Sequence, residues 1–123
     1  MLLLDTSFLV EYEAELVAAR VGPARRLLQA RSREPVAISV VSVGEFAEGF
    51  DNPVDVEAFL SRFRVLMLSR AIAYKTAAMQ SRLRQRLGEN DAWIAATALA
   101  YDADLVGREK AFTRVPSLKY APF

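Results

Sequence analysis

The sequence predicts an α/β fold, with a mostly parallel sheet of four to five strands covered by helices on both faces. Short apolar segments alternate with longer helix-forming segments along the whole chain, an order typical of parallel sheets joined by helices. Strands of this kind are buried on both faces, so their sequences are apolar throughout rather than alternating. The chain has 123 residues, of which 53% are hydrophobic. We therefore expect one globular domain spanning residues 1–123.

Four short segments are predicted to be the main strands, and a fifth is predicted to be an edge strand. The first four are mostly apolar, and β-branched residues are concentrated in the second. Polar or helix-forming residues follow each segment, as expected where a strand ends. In chain order the predicted strands are Leu2–Leu4, Val36–Val41, Arg64–Leu68, Asp104–Val106 and, at the edge, Ser117–Tyr120.

Six segments are predicted to be helices, because good helix formers are bounded there by start and stop signals. Pro23 suits the first position of a helix, Asn52-Pro53 interrupts the chain between two helices, and Gly88 suits a helix end. The last helix is apolar on nearly every side and is expected to be buried. The first predicted helix begins at Phe8. The other five span Pro23–Ala30, Ser42–Phe50, Val54–Phe63, Ala71–Leu87 and Asp91–Tyr101, and a short helical turn is predicted at Phe112.

The chain contains neither cysteine nor histidine, and this limits its chemistry. Without cysteine there are no disulfides, no thiolate nucleophiles and no cysteine-based zinc sites. Without histidine the commonest general base and the commonest transition-metal ligand are missing. Any catalysis must therefore use carboxylates, hydroxyls, lysine, arginine or tyrosine.

Charge and hydropathy exclude few partners but argue against a membrane. The 16 basic and 15 acidic residues give a net charge of +1, which neither indicates nor excludes nucleic-acid binding, because steering depends on where charges cluster. The longest apolar stretches, Val36–Val43 and Ala92–Tyr101, are shorter than the roughly 18 residues of a membrane span. Met1–Leu4 is too short for a signal peptide and lacks a basic segment. We therefore expect a soluble, cytoplasmic protein.

Four acidic residues are expected to meet at one edge of the sheet. Asp5, Glu45 and Glu109 follow the first, second and fourth strands, and Asp91 opens the helix that leads into the fourth strand. Sites in open α/β sheets lie beyond the carboxyl ends of the strands. Two carboxylates about 4 Å apart repel by roughly 4 kcal/mol at an effective dielectric constant of 20. A hard divalent cation such as Mg²⁺ or Mn²⁺ relieves this repulsion, so the pattern predicts a metal site suited to phosphodiester chemistry.

Each acid also has a purely structural interpretation. Asp5 suits the N-cap of the first helix. Glu45 lies three residues after Ser42, the spacing of a capping box, and on local sequence alone that interpretation is the stronger one. Glu109 in a loop is typical of a surface residue. Asp91 favours a function, because it heads a buried stripe where a carboxylate needs a partner. The metal-site hypothesis therefore depends on convergence of the four acids.

Two neighbouring polar residues are predicted to support the site by hydrogen bonds. Ser7 is placed to bond a carboxylate or a metal-bound water, although its hydroxyl is equally suited to capping the first helix. Asn90 directly precedes Asp91 and is a candidate N-cap for the last helix.

Four segments resemble the motifs of PIN domains, and more specifically those of the VapC-type toxins of VapBC toxin–antitoxin modules. Together they span essentially the whole chain in the expected order. The run Asn90–Ala98 is the most specific part of the resemblance. The matching segments are Leu2–Ser7, Ile38–Phe46, Gly88–Leu99 and Leu105–Phe112.

The resemblance implies a three-layer α/β/α fold and an endoribonuclease that depends on Mg²⁺ or Mn²⁺. It implies the toxin of a type II toxin–antitoxin pair, a homodimer inhibited by a small VapB-type antitoxin. Asp5, Glu45 and Asp91 carry over as the main acids. Glu109 falls where the family usually has aspartate, and Gly107 replaces a usual threonine or serine.

Four arginines near these motifs are candidates for guiding RNA. Arg108 is the first candidate, because it adjoins the predicted site. Arg82, Arg84 and Arg86 are the others, although Arg82 and Arg86 are four residues apart and also fit a solvated helix face.

The sequence leaves alternative functions open. The chain also fits a PIN-like module that binds RNA or a partner with weak or no nuclease activity, or a PIN nuclease that matures RNA without an antitoxin. A phosphatase of the haloacid dehalogenase type requires a second aspartate two residues after Asp5, where this chain has Ser7. A receiver domain requires an acidic pair near the first strand, for which the short N-terminal segment leaves little room.

Overall fold

The computed structural model describes all 123 residues and contains one five-stranded sheet. The strands are β1 (Leu2–Leu4), β2 (Val36–Ser39), β3 (Arg64–Leu66), β4 (Asp104–Gly107) and β5 (Lys119–Pro122). Their order across the sheet is β3-β2-β1-β4-β5, and every neighbouring pair is parallel. The predicted parallel α/β sheet is therefore confirmed, and β1 is its central strand.

Six α-helices and one short 3₁₀ helix connect the strands. They are α1 (Thr6–Val17), α2 (Pro23–Ala30), α3 (Val40–Ala47), α4 (Pro53–Leu60), α5 (Arg70–Arg82) and α6 (Glu89–Ala100), with the 3₁₀ helix at Lys110–Arg114. None of the helices combines the length and the hydrophobicity that crossing a bilayer requires.

The sheet separates two hydrophobic cores, because alternate residues of each strand point to opposite faces. In β1, Leu2 and Leu4 join Phe8, Phe46 and residues of α4 in one core. Leu3 joins Leu105 and the buried faces of α5 and α6 in the other core. Both faces of the sheet are covered in this way, which is the three-layer arrangement that the resemblance implied.

Several predicted helix boundaries differ from the structure, and for two of them a side-chain hydrogen bond explains the difference. The second strand ends at Ser39, whose Oγ accepts the backbone N–H of Val41 at 3.1 Å and caps α3. The cap outweighs the strand preference of the valines that follow. Helix α5 ends at Arg82 instead of Leu87, because the amide of Gln80 makes two 2.9 Å hydrogen bonds with the backbone of Leu87.

A buried glutamate joins the first two helices. Glu15 in α1 is completely inaccessible to solvent, and its carboxylate accepts the backbone N–H groups of Gly22, Ala24 and Arg25 at 2.8–2.9 Å. These donors belong to the amino end of α2, which has no side-chain cap of its own. Burial alone raises the pKa of Glu15, but the hydrogen bonds from Arg25, Ala24 and Gly22 outweigh it and lower the pKa to about 2.

We expect Glu15→Gln to lower the free energy of unfolding by about 3 kcal/mol, because the neutral amide replaces a charged acceptor of three N–H groups. Since folding lowers the pKa of Glu15, the carboxylate contributes its full stabilisation when the pH is above the ordinary pKa of glutamate. This stabilisation is lost as the pH falls from about 5 towards about 2. Denaturant unfolding across this pH range measures both effects, with the exposed Glu48→Gln as control. Equal stability of the two variants at neutral pH contradicts the assignment.

Candidate active site

The first predicted acid, Asp5, lies at the centre of the carboxyl edge of the sheet. Its backbone N–H donates to the carbonyl of Val106 at 3.0 Å, which extends the pairing of β1 and β4 by one residue. Asp5 shares its face of β1 with Leu3, so its side chain lies on the side covered by α5 and α6. The residue is only 5% exposed.

The carboxylate of Asp5 combines the two interpretations that the sequence left open. Its Oδ1 accepts the Ser7 hydroxyl at 2.6 Å and the Phe8 backbone N–H at 3.0 Å, so Asp5 caps α1. Its Oδ2 makes no hydrogen bond with the protein. Burial raises the pKa of Asp5, the hydrogen bonds from Ser7 and Phe8 oppose this rise, and the charge of Glu45 adds to it. One carboxylate oxygen is thus structural, and the other is available to a ligand.

Glu45 is held by side chains from two other helices. Its Oε1 accepts the Thr6 hydroxyl at 2.5 Å, and its Oε2 accepts the amide of Asn90 at 3.3 Å. The capping-box hypothesis is wrong, because α3 begins at Val40 and Glu45 is therefore its sixth residue. Ser42, the expected cap, is buried and its hydroxyl has no partner. The contacts of Glu45 tie α3 to α1 and α6 at the edge where Asp5 lies.

Asp91 carries the least compensated charge of the four predicted acids. It is the third residue of α6, whose N-cap is Gly88 instead of the expected Asn90. Its half-buried carboxylate accepts no hydrogen bond from the protein. Burial, followed by the charges of Glu109, Glu45 and Asp5, raises the pKa of Asp91 to about 6. The charges of the other three predicted acids therefore all act on Asp91, as convergence at the sheet edge requires.

Glu109 lies at the rim of this cluster. Its side chain is exposed, and its Oε1 accepts the backbone N–H of Ala111 at 3.2 Å, which caps the 3₁₀ helix. Among the charges that raise the pKa of Asp91, that of Glu109 has the largest effect. Glu109 thus contributes negative charge to the site while its carboxylate caps the 3₁₀ helix.

Several residues that sequence reasoning missed also belong to this edge. Glu89, with Glu45 and Asp91, lines an open cavity of about 390 Å³ at the start of α6. Thr6 had no sequence signal beyond its place after Asp5, because its role depends on the approach of α3. Tyr120 has a buried hydroxyl with no hydrogen-bond partner, a property that no sequence pattern reveals.

The carboxylate oxygens of this cluster are ligands that suit a hard divalent cation, although they do not form a complete coordination site. No group of three or more acidic side chains is arranged closely enough to hold a metal ion in this conformation. Asp5, Glu45 and Glu109 each direct at least one oxygen to a protein donor. The oxygens without a protein donor are Oδ2 of Asp5, both of Asp91 and Oε2 of Glu109, and carboxylate oxygens are the ligands that Mg²⁺ or Mn²⁺ prefers. The residue types therefore fit such a cation, although this conformation does not assemble them around one.

Gly107 determines how deeply the Asp5 carboxylate lies. A Cβ atom at position 107 would stand 2.2 Å from Oδ2 of Asp5 and 2.5 Å from its Cγ. The carboxylate thus occupies the space that a side chain at position 107 would fill. The resemblance pointed to a lost hydroxyl at this position, and the structure shows the consequence for the neighbouring acid.

The other supporting residues are only partly as expected. The Ser7 hydroxyl donates to Asp5 and accepts the backbone N–H of Arg108 at 3.1 Å, so it joins the ends of β1 and β4. The guanidinium carbon of Arg108 lies 4.2 Å from the centre of the Phe123 ring, and one of its nitrogens lies 3.9 Å from Glu11. The guanidinium of Arg108 is thus engaged with these two side chains and is half exposed.

The remaining arginines lie elsewhere. Arg82 ends α5, whereas Arg84 and Arg86 belong to the following loop, so the hypothesis of a helix face with four-residue spacing is wrong. Arg82, Arg84 and Arg114 line a groove of about 370 Å³. None of these arginines forms an ion pair.

Comparison with known proteins agrees with this architecture. The profile of the PIN domain matches residues 2–118. The chain belongs to the PIN-domain family. Ribonuclease VapC10 of Mycobacterium tuberculosis is 36% identical to this PIN domain over 110 residues, which cover 85% of this chain and 80% of that protein.

Solved structures resemble this PIN domain over nearly its whole length. VapBC2 from Rickettsia felis, bound to a DNA fragment from its promoter, has a TM-score of 0.80 at 23% identity and covers 99% of this chain and 98% of its own. A toxin–antitoxin complex from Klebsiella pneumoniae has a TM-score of 0.72 at 27% identity and covers 98% of this chain and 96% of its own.

We expect Asp91→Asn to raise the stability of this PIN domain at neutral pH by about 1–2 kcal/mol, because it removes an uncompensated charge that is partly screened by solvent. Since folding raises the pKa of Asp91, the protonated form of this residue contributes to stability. That contribution is fully present when the pH is below the ordinary pKa of aspartate, and it is lost as the pH rises through about 6. The advantage of the variant should therefore disappear near pH 4. Thermal melts across this range test this, with the exposed Asp51→Asn as control. A variant that is less stable than wild type at neutral pH contradicts the prediction.

We expect Gly107→Ala to displace the Asp5 carboxylate and weaken its cap on α1, which lowers stability by about 1 kcal/mol or more. Gly44→Ala is the matched control, because a Cβ there has no neighbour within 4 Å and lies inside α3. Alanine at that position should stabilise the helix by up to about 1 kcal/mol. Opposite shifts of the two melting temperatures support the assignment, and an unchanged melting temperature for Gly107→Ala overturns it.

Proposed function

We propose that this PIN domain is a metal-dependent endoribonuclease that acts as the toxin of a type II toxin–antitoxin pair. One observation carries the proposal: the four predicted acids lie together at the carboxyl edge of the sheet, where burial and the charges of neighbouring acids raise the pKa of Asp5 and of Asp91. Perturbed acids at such an edge are typical of functional sites. The 36% identity to a ribonuclease of the VapC type supports RNA as the substrate class.

We assign the cation to Asp5 and Asp91, with Glu45 completing the site and Glu109 at its rim. Mg²⁺ and Mn²⁺ are the candidate ions, because every available donor is a carboxylate oxygen. When bound, such an ion lowers the pKa of a water molecule and neutralises charge on the scissile phosphate. With no histidine in the chain, this is the chemistry that the available residues best support.

The chain's own residues prepare this edge for an anionic substrate. Ser7 and the Phe8 N–H hold one oxygen of Asp5 and leave the other free. Thr6 and Asn90 hold Glu45 beside the cavity at the start of α6. Arg108 directly follows the end of β4 and is our candidate for contacting the RNA backbone, provided that its guanidinium leaves Phe123 and Glu11.

A VapB-type antitoxin is the proposed partner, and a homodimer the proposed assembly. The similarity to a toxin–antitoxin complex at 27% identity supports the antitoxin. Large apolar side chains are exposed along β3 and the segment that leads into α5, as a protein interface requires. They are Val65, Met67, Leu68 and, on α5, Tyr74.

We further propose that the nuclease acts in the cytoplasm and consists of a single domain.

One observation favours a second candidate, a PIN-like module that binds RNA and cuts it weakly or not at all. Glu109 stands where the resemblance expects aspartate, and its carboxylate caps the 3₁₀ helix. If this bond persists when a cation binds, Glu109 has only one oxygen left for the cation and stays at the rim of the site. The nuclease assay described next separates the two candidates.

We expect the purified protein to cut a pool of transfer and ribosomal RNA at discrete positions in Mn²⁺ or Mg²⁺, and not in EDTA. Asp5→Asn and Asp91→Asn should each reduce cleavage by more than about 100-fold, since even the partners of metal ligands commonly contribute 10–100-fold. Glu48→Gln is the control, because it removes an exposed acid just beyond α3. RNA binding without cleavage favours the second candidate. Equal cleavage by wild type and both aspartate variants overturns the assignment of the site.

A further inference from the structure

The side chain of Tyr120 ends in a buried hydroxyl that has no hydrogen-bond partner. Only one other buried side-chain polar atom, the Oγ of Ser42, shares this property. Buried hydroxyls are nearly always bonded, because leaving one unsatisfied is unfavourable. An unsatisfied hydroxyl near a candidate site therefore points to a partner that binds there.

The register of the sheet brings Tyr120 close to the acid cluster. In the pairing of β4 with β5, Tyr120 lies opposite Leu105, and Pro122 lies opposite Gly107. Tyr120 packs against the core that contains Leu105 and Phe112, and its ring lies 5.6 Å from the ring of Phe112. This is the face of the sheet on which the Asp5 carboxylate covers Gly107.

The electrostatics agree with this placement. Burial, and then the charges of Asp5, Glu109 and Asp91, raise the pKa of Tyr120 to about 12. The hydroxyl therefore keeps its proton at neutral pH and acts as a donor. It lies in the field of three of the four predicted acids, yet it donates to none of them.

We propose that Tyr120 is a positioning residue whose hydroxyl donates a hydrogen bond to an oxygen ligand held by the acid cluster. Two oxygen ligands share this chemistry: a water bound to the cation and an oxygen of the RNA phosphate. The inference rests on the proposed function, since it requires a ligand at the acid cluster. It adds a residue on the edge strand to a site otherwise built from residues after β1 and β4 and on α3 and α6.

The substitution Tyr120→Phe separates this role from a structural one. Phenylalanine keeps the ring that packs against Phe112 and removes only the hydroxyl. Because that hydroxyl makes no hydrogen bond within the protein, its loss should leave the melting temperature without cation unchanged or slightly higher. Tyr74→Phe is the matched control, because Tyr74 is 71% exposed on α5.

The test measures three quantities for wild type and both variants: the melting temperature without cation, the Kd for Mn²⁺ without RNA, and KM and kcat for RNA cleavage. If the hydroxyl binds a metal-bound water, Tyr120→Phe should raise the Kd for Mn²⁺ about 10-fold. If it binds a phosphate oxygen, the Kd should stay unchanged while kcat/KM falls about 10-fold. Either result, with Tyr74→Phe unchanged, supports the proposal.

Other outcomes overturn it. If wild type binds Mn²⁺ and cuts RNA and Tyr120→Phe matches it in every parameter, the role of Tyr120 is overturned while the proposed function stands. A variant that fails to fold also overturns it, because the hydroxyl is then structural. If wild type binds Mn²⁺ but cuts no RNA, the Kd for RNA in the presence of Mn²⁺ replaces kcat/KM, and Tyr120→Phe values that match wild type for both Mn²⁺ and RNA overturn the role of Tyr120. If wild type does neither, the proposed function and this inference both fail.

Discussion

The buried carboxylate at the end of the central strand is the constraint on which the candidate site depends. Asp5 extends the hydrogen bonding of β1 with β4, caps α1 and faces the core beneath α5 and α6. A charge in this position is unfavourable unless it is bonded or paired. Ser7 and the Phe8 N–H satisfy one oxygen, and the second oxygen, above Gly107, stays without a protein donor. The fold thus leaves one buried carboxylate oxygen without a donor, and in the proposed function this oxygen binds the cation.

The other acids are arranged around this constraint by contacts between helices. Glu45 reaches the edge because Thr6 at the start of α1 and Asn90 at the start of α6 both donate to it. Asp91 lacks any such donor, and its raised pKa reflects burial and the charges around it. Repulsion among the acids therefore destabilises mainly the charged form of Asp91, the acid with the fewest hydrogen bonds to the protein. Stability and cation affinity should accordingly oppose each other most strongly at Asp91.

The sequence was sufficient for the fold and for the edge at which the acids lie, because both follow from strand order. Apolar segments such as Leu2–Leu4 are confirmed as strands, and acids that follow such strands must lie at their carboxyl ends. Predictions from local sequence failed where a competing hydrogen bond decides at which residue a helix begins or ends. Ser42 and Glu45 have the spacing of a capping box, but Ser39 starts the helix three residues earlier. The bond between Gln80 and Leu87 likewise has no local signature.

The contact between Glu15 and Gly22 has a consequence for how this chain varies. A Cβ at position 22 would lie 2.7 Å from the carboxylate carbon of Glu15, so the buried acid and the missing side chain depend on each other. A relative that acquires a side chain at this turn loses the room for the glutamate, and a relative that loses the glutamate no longer needs the glycine. The two positions are therefore expected to change together during evolution, although they lie in different parts of the α1–α2 hairpin.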